Sequence, residues 1–270
     1  MKTLYISDLD GTLLRNDESI SPFTESVINR LTKQDVIFSY ATARSYTTAN
    51  HVTSNLRLQN PVIVFNGTFI IEPRTQMRLH TNIFDTNETK QILDALTESQ
   101  IFPIVNTFLN NTEKFSYIRG KETRGILSFL AQRRHDIRCH PVVEKSSLYH
   151  GEVFHIVCID KEEKLCHAYE RFKHDFPCVL YRDMYSGDTW LEIHPKGATK
   201  AEAALTLKQL LHCNRIICFG DGKNDIPLFE IADECYAVAN ADEELKAIAT
   251  AVIESNENDG VAKWLNIHAI

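Results

Sequence analysis

Apolar and polar positions along the first eighty residues separate into short, nearly unbroken apolar runs and longer runs with helical spacing. Residues 3–7 (TLYIS) are rich in β-formers and end in an acidic turn, DLDGT, a pattern that predicts a buried strand. Ser21-Pro22 then opens helical spacing to about Thr32, with Ser21 placed as N-cap and Pro22 at the first helical position. A second strand is predicted over 36–41, a helix over about 46–56, and a third strand over 61–65 (PVIVF), closed by Asn66-Gly67. Strands alternating with helices through short loops predict βαβ units on a parallel sheet.

From about residue 82 to 187 the rhythm changes. Helices are predicted over 86–99, 122–133 and 161–175, with strands over 102–107, 114–118, 152–159 and 178–182. This reads as an α+β insertion with its own core. The βα alternation then resumes with a strand over 189–193, a helix over 199–211 and the buried strand 215–219 (RIICF), which ends in GDGKND. A helix over 226–231, a strand over 235–238 and helices over 242–249 and 260–265 complete it. The expected organisation is one α/β domain built from both ends of the chain, 1–82 plus 188–270, with a second domain, 83–187, inserted between them.

The chemistry-bearing residues fall where such a sheet places its site, beyond the carboxyl ends of the strands. Asp8 ends the first strand and Asp10 follows in the turn, with Gly11 where the backbone must bend sharply. Two close carboxylates repel each other and call for a cation or a shared proton. Thr42 follows the second strand, Asn66-Gly67 the third, and Asp221, Asn224 and Asp225 follow RIICF. Each feature has a plainer alternative. Thr42 alone is an ordinary helix N-cap, Asn66-Gly67 a hairpin turn before TFII, and Lys200 a solvated helix residue with Lys196 as a rival for any role given to it.

Composition narrows the classes. The 270 residues are 43% hydrophobic and 24% charged, ordinary for a globular chain, and the net charge of −7 argues against nucleic acid or an anionic membrane as the main partner. The seven cysteines form no CxxC pair and several lie inside apolar runs, so they read as buried thiols in a reducing compartment. MKTLYISDLDGT lacks the apolar stretch of a signal peptide, and no segment reaches the ~18 apolar residues of a membrane span. A cytoplasmic protein is expected.

With DLDGT at 8–12, Thr42 at the end of VIFSYAT, Lys200 in PKGATK and GDGKND at 220–225, the chain resembles the haloacid dehalogenase superfamily. It is similar to the Cof-type phosphatase branch, with its large α/β cap of the second type (subtype B), over essentially its whole length. VFNG at 64–67, VANA at 238–241 and NDGVA at 258–262 echo that branch, while Ala43-Arg44 stands where Gly-Arg is common. The resemblance implies a Rossmann-like, doubly wound parallel-sheet core with an inserted α+β cap acting as a lid. It implies a Mg²⁺-dependent phosphatase for small phosphate monoesters, sugar phosphates first, then flavin mononucleotide, pyridoxal phosphate or nucleotides. Asp8 is then the nucleophile and Asp10 the acid and base, with Thr42 and Lys200 completing the catalytic set. Thr12, Thr42, Ala43, Arg44, Asn66, Gly67, Lys200 and Asn224 bind substrate or phosphate. Asp8, the Asp10 carbonyl and Asp221 hold the metal, with Asp225 in support.

In the insertion, the basic stretch 132–140 (QRRHDIRCH) reads as either a solvated helix end or a contact for an anionic substrate, and Arg119, Arg124 and Arg182 are further candidates. The competing functions are a phosphosugar mutase and a catalytically idle phosphate-binding protein. A monomer or weak homodimer is expected.

Overall fold

The computed structural model describes residues 2–182 and 187–269. Contacts divide the chain into two compact units: Met1–Thr81 with Gly197–Ile270, and Asn82–Lys196.

In chain order, the first unit begins with β1 (Thr3–Ser7), a wide turn at Leu9–Leu13, α1 (Pro22–Lys33), β2 (Ile37–Tyr40) and α2 (Tyr46–Val52). The short strands β3 (Val62–Val64), β4 (Phe69–Ile71) and β5 (Arg78–Thr81) follow. The second unit comprises α3 (Thr86–Glu98), β6 (Ile104–Leu109), β7 (Thr112–Ile118), α4 (Arg124–Ala131), β8 (Cys139–Val142), β9 (Glu152–Asp160), α5 (Glu162–Phe172), β10 (Cys178–Arg182) and β11 (Thr189–Ile193). The chain returns to the first unit with α6 (Lys200–Leu210), β12 (Arg215–Gly220), α7 (Ile226–Ile231), β13 (Glu234–Val238), α8 (Glu243–Ile248), β14 (Ala251–Ile253) and α9 (Gly260–His268).

The main sheet of the first unit is parallel, in the order β14-β13-β12-β1-β2. Its central strands are covered on both faces, which is why β1 and β12 read as apolar runs: Leu4, Ile6, Ile216, Cys218 and Phe219 are fully buried. The run PVIVF, expected as the next parallel strand, behaves differently. β3 joins the main sheet through a single bridge, Ala41 to Ile63, and otherwise pairs antiparallel with β4 in a three-stranded sheet, β3-β4-β5. The cause is local. Asn66 (φ 53°) and Gly67 (φ 103°) turn the chain straight back into Phe69–Ile71.

The second unit is a six-stranded sheet, β10-β11-β9-β6-β7-β8, antiparallel except for β7-β8. One face packs Leu93 and Leu96 of α3 and Leu165 and Phe172 of α5 over Val105, Ile156 and Leu191. The other packs Ile126 of α4 over Ile104, Val157 and Ile159. The expected boundary at 187/188 is corrected here. Residues 189–193, read as a strand of the core, pair with β9 and β10, so the unit runs on to Lys196. The apolar alternation of TWLEI shows a half-buried strand and carries no mark of which sheet it joins. β5, β8 and β14 were not expected. RLHT, CHPV and AVI are too short and too exposed to show a period.

Candidate active site

Asp8 leaves the end of β1, and its N–H donates to the Phe219 carbonyl (2.9 Å) of the neighbouring β12. Asp221 and Asp225 follow β12. Carboxylate oxygens of Asp8, Asp221 and Asp225 lie within 4.8 Å of one another. Lys200 enters from the first turn of α6. Its ammonium donates to Asp8 Oδ1 (2.6 Å) and Asp225 Oδ1 (2.7 Å), and its side chain is 1% exposed. The solvated reading of Lys200 is thereby corrected. Lys196 belongs to the second unit, where it pairs with Glu88 at 2.8 Å and is 61% exposed.

Backbone detail holds the cluster tight. Asp225 Oδ2 accepts from the N–H groups of Asp221 (3.1 Å) and Gly222 (3.2 Å), so both of its oxygens accept hydrogen bonds. Thr12, fully buried, donates its hydroxyl to Asp221 Oδ1 at 3.0 Å. Gly11 has φ +72°, and a Cβ there would fall 2.3 Å from Asp221 Oδ2, so only glycine allows this turn beside that carboxylate. Burial pushes the Asp8 carboxyl well above the usual range, against the pull of Lys200. Burial and the charge of Asp225 push Asp221 up to about 6. Three carboxylates face one ammonium, which leaves two negative charges uncompensated when all are ionised. An all-oxygen, doubly negative set is what a hard divalent cation fits.

Asp10 is not in that group. Its carboxylate, half exposed, is gripped by Arg44, whose Nε reaches Oδ2 at 2.8 Å and whose second guanidinium nitrogen reaches Oδ1 at 2.5 Å. Arg44 also contacts Glu18. Arg44 is thus committed to a carboxylate in this state, with its own pKa raised first by its hydrogen bonds to Asp10.

Thr42 is fully buried at the end of β2, and its Oγ1 accepts from the Arg44 N–H (3.1 Å). It does not cap α2. Ser45 does, accepting from the Thr48 N–H. Ala43 is exposed and has no positive φ, so alanine costs nothing where glycine is common. Asn66 is both a hairpin residue and a neighbour of the cluster's loop: its N–H donates to the Thr42 carbonyl (2.9 Å), and its Oδ1 accepts from Asn224 Nδ2 (3.4 Å). At Gly67 a Cβ would lie 2.1 Å from the Thr199 carbonyl, so the hairpin turn rests directly on the N-cap of α6.

Two supporting residues had no role in the sequence reading. Asn240, in the VANA echo, donates to the Gly11 carbonyl at 2.7 Å, and its Oδ1 accepts from the Asn256 N–H. Asn256 in turn donates to the Leu14 carbonyl at 3.0 Å. Their signal was an asparagine in a loop after a strand, which sequence alone does not separate from a turn residue.

In the second unit two arginines of the basic stretch are engaged internally, while Arg134 and His135 are exposed. Arg138 grips Asp136 and Glu113, and Arg133 lies over the Phe129 ring at 3.8 Å. Arg124 and Arg182 line one cleft of about 500 Å³ together with Asp160, Glu162 and Asp188. The Arg119 N–H donates to the Val142 carbonyl.

Residues 5–265 match the family model of haloacid dehalogenase-like hydrolases. The chain belongs to that family. A protein of Haemophilus influenzae, provisionally named a phosphatase, is 28% identical over 97% of this chain and 96% of its own. The 5-amino-6-(5-phospho-D-ribitylamino)uracil phosphatase YitU of Bacillus subtilis is 26% identical, with the same coverage. A solved haloacid dehalogenase-like hydrolase from Bacteroides thetaiotaomicron shares the fold with a TM-score of 0.78 over 99% of both chains, at 19% identity. As an enzyme, this haloacid dehalogenase-like hydrolase falls with the phosphoric monoester hydrolases. No helix among the described residues is long and apolar enough to cross a membrane.

Proposed function

We propose that this hydrolase cleaves small phosphate monoesters, sugar phosphates foremost, through a phosphoaspartate on Asp8 with Mg²⁺ as cofactor. The observation that carries the reading is the buried Lys200 ammonium shared between Asp8 and Asp225 beside Asp221. Lys200 takes Asp8 Oδ1, and Oδ2 has no hydrogen-bond partner among the described residues, which leaves that oxygen to attack phosphorus. The Asp8–phosphorus bond forms as the ester bond to the alcohol breaks. Asp10, released from Arg44 and protonated from solvent, gives that proton to the leaving alkoxide. It then takes a proton from the water that hydrolyses the phosphoaspartate, which returns Asp8 and frees phosphate.

Asp8, Asp221 and the Asp10 carbonyl would hold the Mg²⁺, with Asp225 in support from close range and as the anion that fixes Lys200. When bound, the ion supplies charge neutralisation for the phosphoryl group. Thr42, Lys200 and Asn224 would hold phosphate oxygens, with Thr12, Ala43, Arg44, Asn66 and Gly67 around them. The ribityl phosphate named for the Bacillus relative supports a sugar-like alcohol as leaving group. Unpaired cysteines, four of them buried, suit a reducing cytoplasm.

The test is phosphate release from a panel of sugar phosphates, flavin mononucleotide, pyridoxal phosphate and p-nitrophenyl phosphate, with Mg²⁺ and with chelator. Release is expected with Mg²⁺, and Asp8→Asn is expected to abolish it with an unchanged circular dichroism spectrum. Turnover by a folded Asp8→Asn variant would end the phosphoaspartate reading.

A further inference from the structure

Outside the acidic site, the second unit carries another cluster of ligand-type side chains. We propose that His155, Glu192 and His194 form a binding site for a borderline divalent transition-metal ion, best matched by Zn²⁺.

The placement follows from the sheet. Glu192 and His194 stand two residues apart at the end of β11 and therefore share a face. β11 runs antiparallel to β9 with Ile193 opposite Ile156, so the next step brings His194 opposite His155. The two imidazoles stack with ring centroids 4.6 Å apart and planes 15° from parallel. Nε2 of His155 and Nε2 of His194 stand 3.3 and 3.4 Å from the same oxygen, Glu192 Oε2. One ligand atom from each of the three lies within 4.8 Å of the others.

Those separations decide between a salt-bridge cluster and a metal site. Charge-assisted hydrogen bonds between imidazolium and carboxylate run about 2.7–2.9 Å. Around tetrahedral zinc, with bonds of about 2.0–2.1 Å, neighbouring ligand atoms lie about 3.3–3.4 Å apart. The two His–Glu separations are those of a coordination edge, and the stacked rings must tilt toward each other for both Nε2 lone pairs to meet one ion. Neither ring nitrogen of His194 has a hydrogen-bond partner among the described residues, although the residue is 1% exposed. A buried imidazole left in that state is costly unless something else completes it.

The surroundings also fit. Tyr181 donates its hydroxyl to Glu192 Oε1 at 3.0 Å, which leaves Oε2 turned to the histidines. Asn106, on β6, lies 3.2 Å from His155 Nδ1. The Asn106 atom on that side is Nδ2; with the amide turned over, its oxygen accepts the Nδ1 proton and leaves the Nε2 lone pair for a metal, the usual outer contact of a ligating histidine. Two imidazoles and one carboxylate select a borderline metal over Mg²⁺.

The experiment uses the metal-free full chain. Zn²⁺ is titrated against a chromophoric chelator, and Co²⁺ is added separately to read its visible spectrum. We expect one Zn²⁺ that is retained in an Asp8→Asn, Asp221→Asn double variant, and the intense absorption of four-coordinate Co²⁺. His194→Gln should weaken Zn²⁺ binding about a hundredfold or more, and Tyr181→Phe about tenfold. Zn²⁺ affinity unchanged in a folded His194→Gln variant overturns the site. Should that variant not fold, the unsubstituted chain decides alone: absence of the four-coordinate Co²⁺ band overturns the proposal.

Discussion

Lys200 stands where helix electrostatics alone would not put a cation. It is the first residue of α6, at the positive end of the helix dipole, and it is buried. The carboxylates of Asp8 and Asp225 outweigh both penalties, so the lysine is held by the charge it neutralises. This residue was legible in the sequence through its motif, but its hydrogen bonds to Asp8 and Asp225, and those of Asp225 to the N–H groups of Asp221 and Gly222, were not. The grip of Arg44 on Asp10 was not legible at all, because thirty-four positions separate them and only the fold closes the distance. It leads to a test of the acid role. Asp10 is half exposed, so losing its ion pair costs under ~1 kcal/mol, and an Asp10→Asn variant should fold normally. The first chemical step, read as the burst of released alcohol, should slow about 10²–10⁴-fold with alkyl phosphates and far less with p-nitrophenyl phosphate, whose leaving group needs no proton. Equal losses on both esters would remove Asp10 as the proton donor.

At the scale of elements, what could be read was what has a period or a motif. The strands β1, β2 and β12 announced themselves as apolar runs ending in polar turns, and each is followed at its carboxyl end by a residue proposed for the site, Asp8, Thr42 and Asp221. The partners of β3 and β11 could not be read. β3 was separated from the parallel sheet by the handedness of Asn66 and Gly67, and β11 was drawn into the second unit by pairing with strands on either side of it in space. That hairpin turn bears on α6 more than a surface loop would. Because Gly67 has φ +103° and its missing Cβ leaves room for the Thr199 carbonyl, Gly67→Ala meets both backbone strain and a clash with backbone. The variant should lose about 2 kcal/mol or more in urea unfolding, and kcat should fall because the displaced Thr199 is the residue before Lys200. A Gly67→Ala protein with native stability and native kcat would show that the turn does not position the lysine.

For the molecule as a whole, the candidate catalytic group is a built-in liability. All the residues assigned to phosphate chemistry lie in the first unit, and there three carboxylates are set against one ammonium. Like charges held together out of water oppose folding, and a cation bound by the folded state alone restores the loss. Asp221→Asn keeps the acceptor for Thr12 and removes one charge. In metal-free protein at neutral pH the variant should therefore be more stable than the parent, by about 1–2 kcal/mol. Mg²⁺ at a hundred times its Kd should raise the parent by about 2.7 kcal/mol and the variant far less, so that the order of stability reverses. The two tryptophans make the measurement specific. Trp264 packs among the rings of Tyr5, Phe219 and Tyr236 in the first unit, while Trp190 lies in the second. A Trp190→Phe background leaves Trp264 fluorescence to follow the first unit alone. Equal stabilisation of parent and variant by Mg²⁺ would mean that Asp221 does not hold the ion. A variant less stable than the metal-free parent would mean that the buried charges are already balanced without a metal.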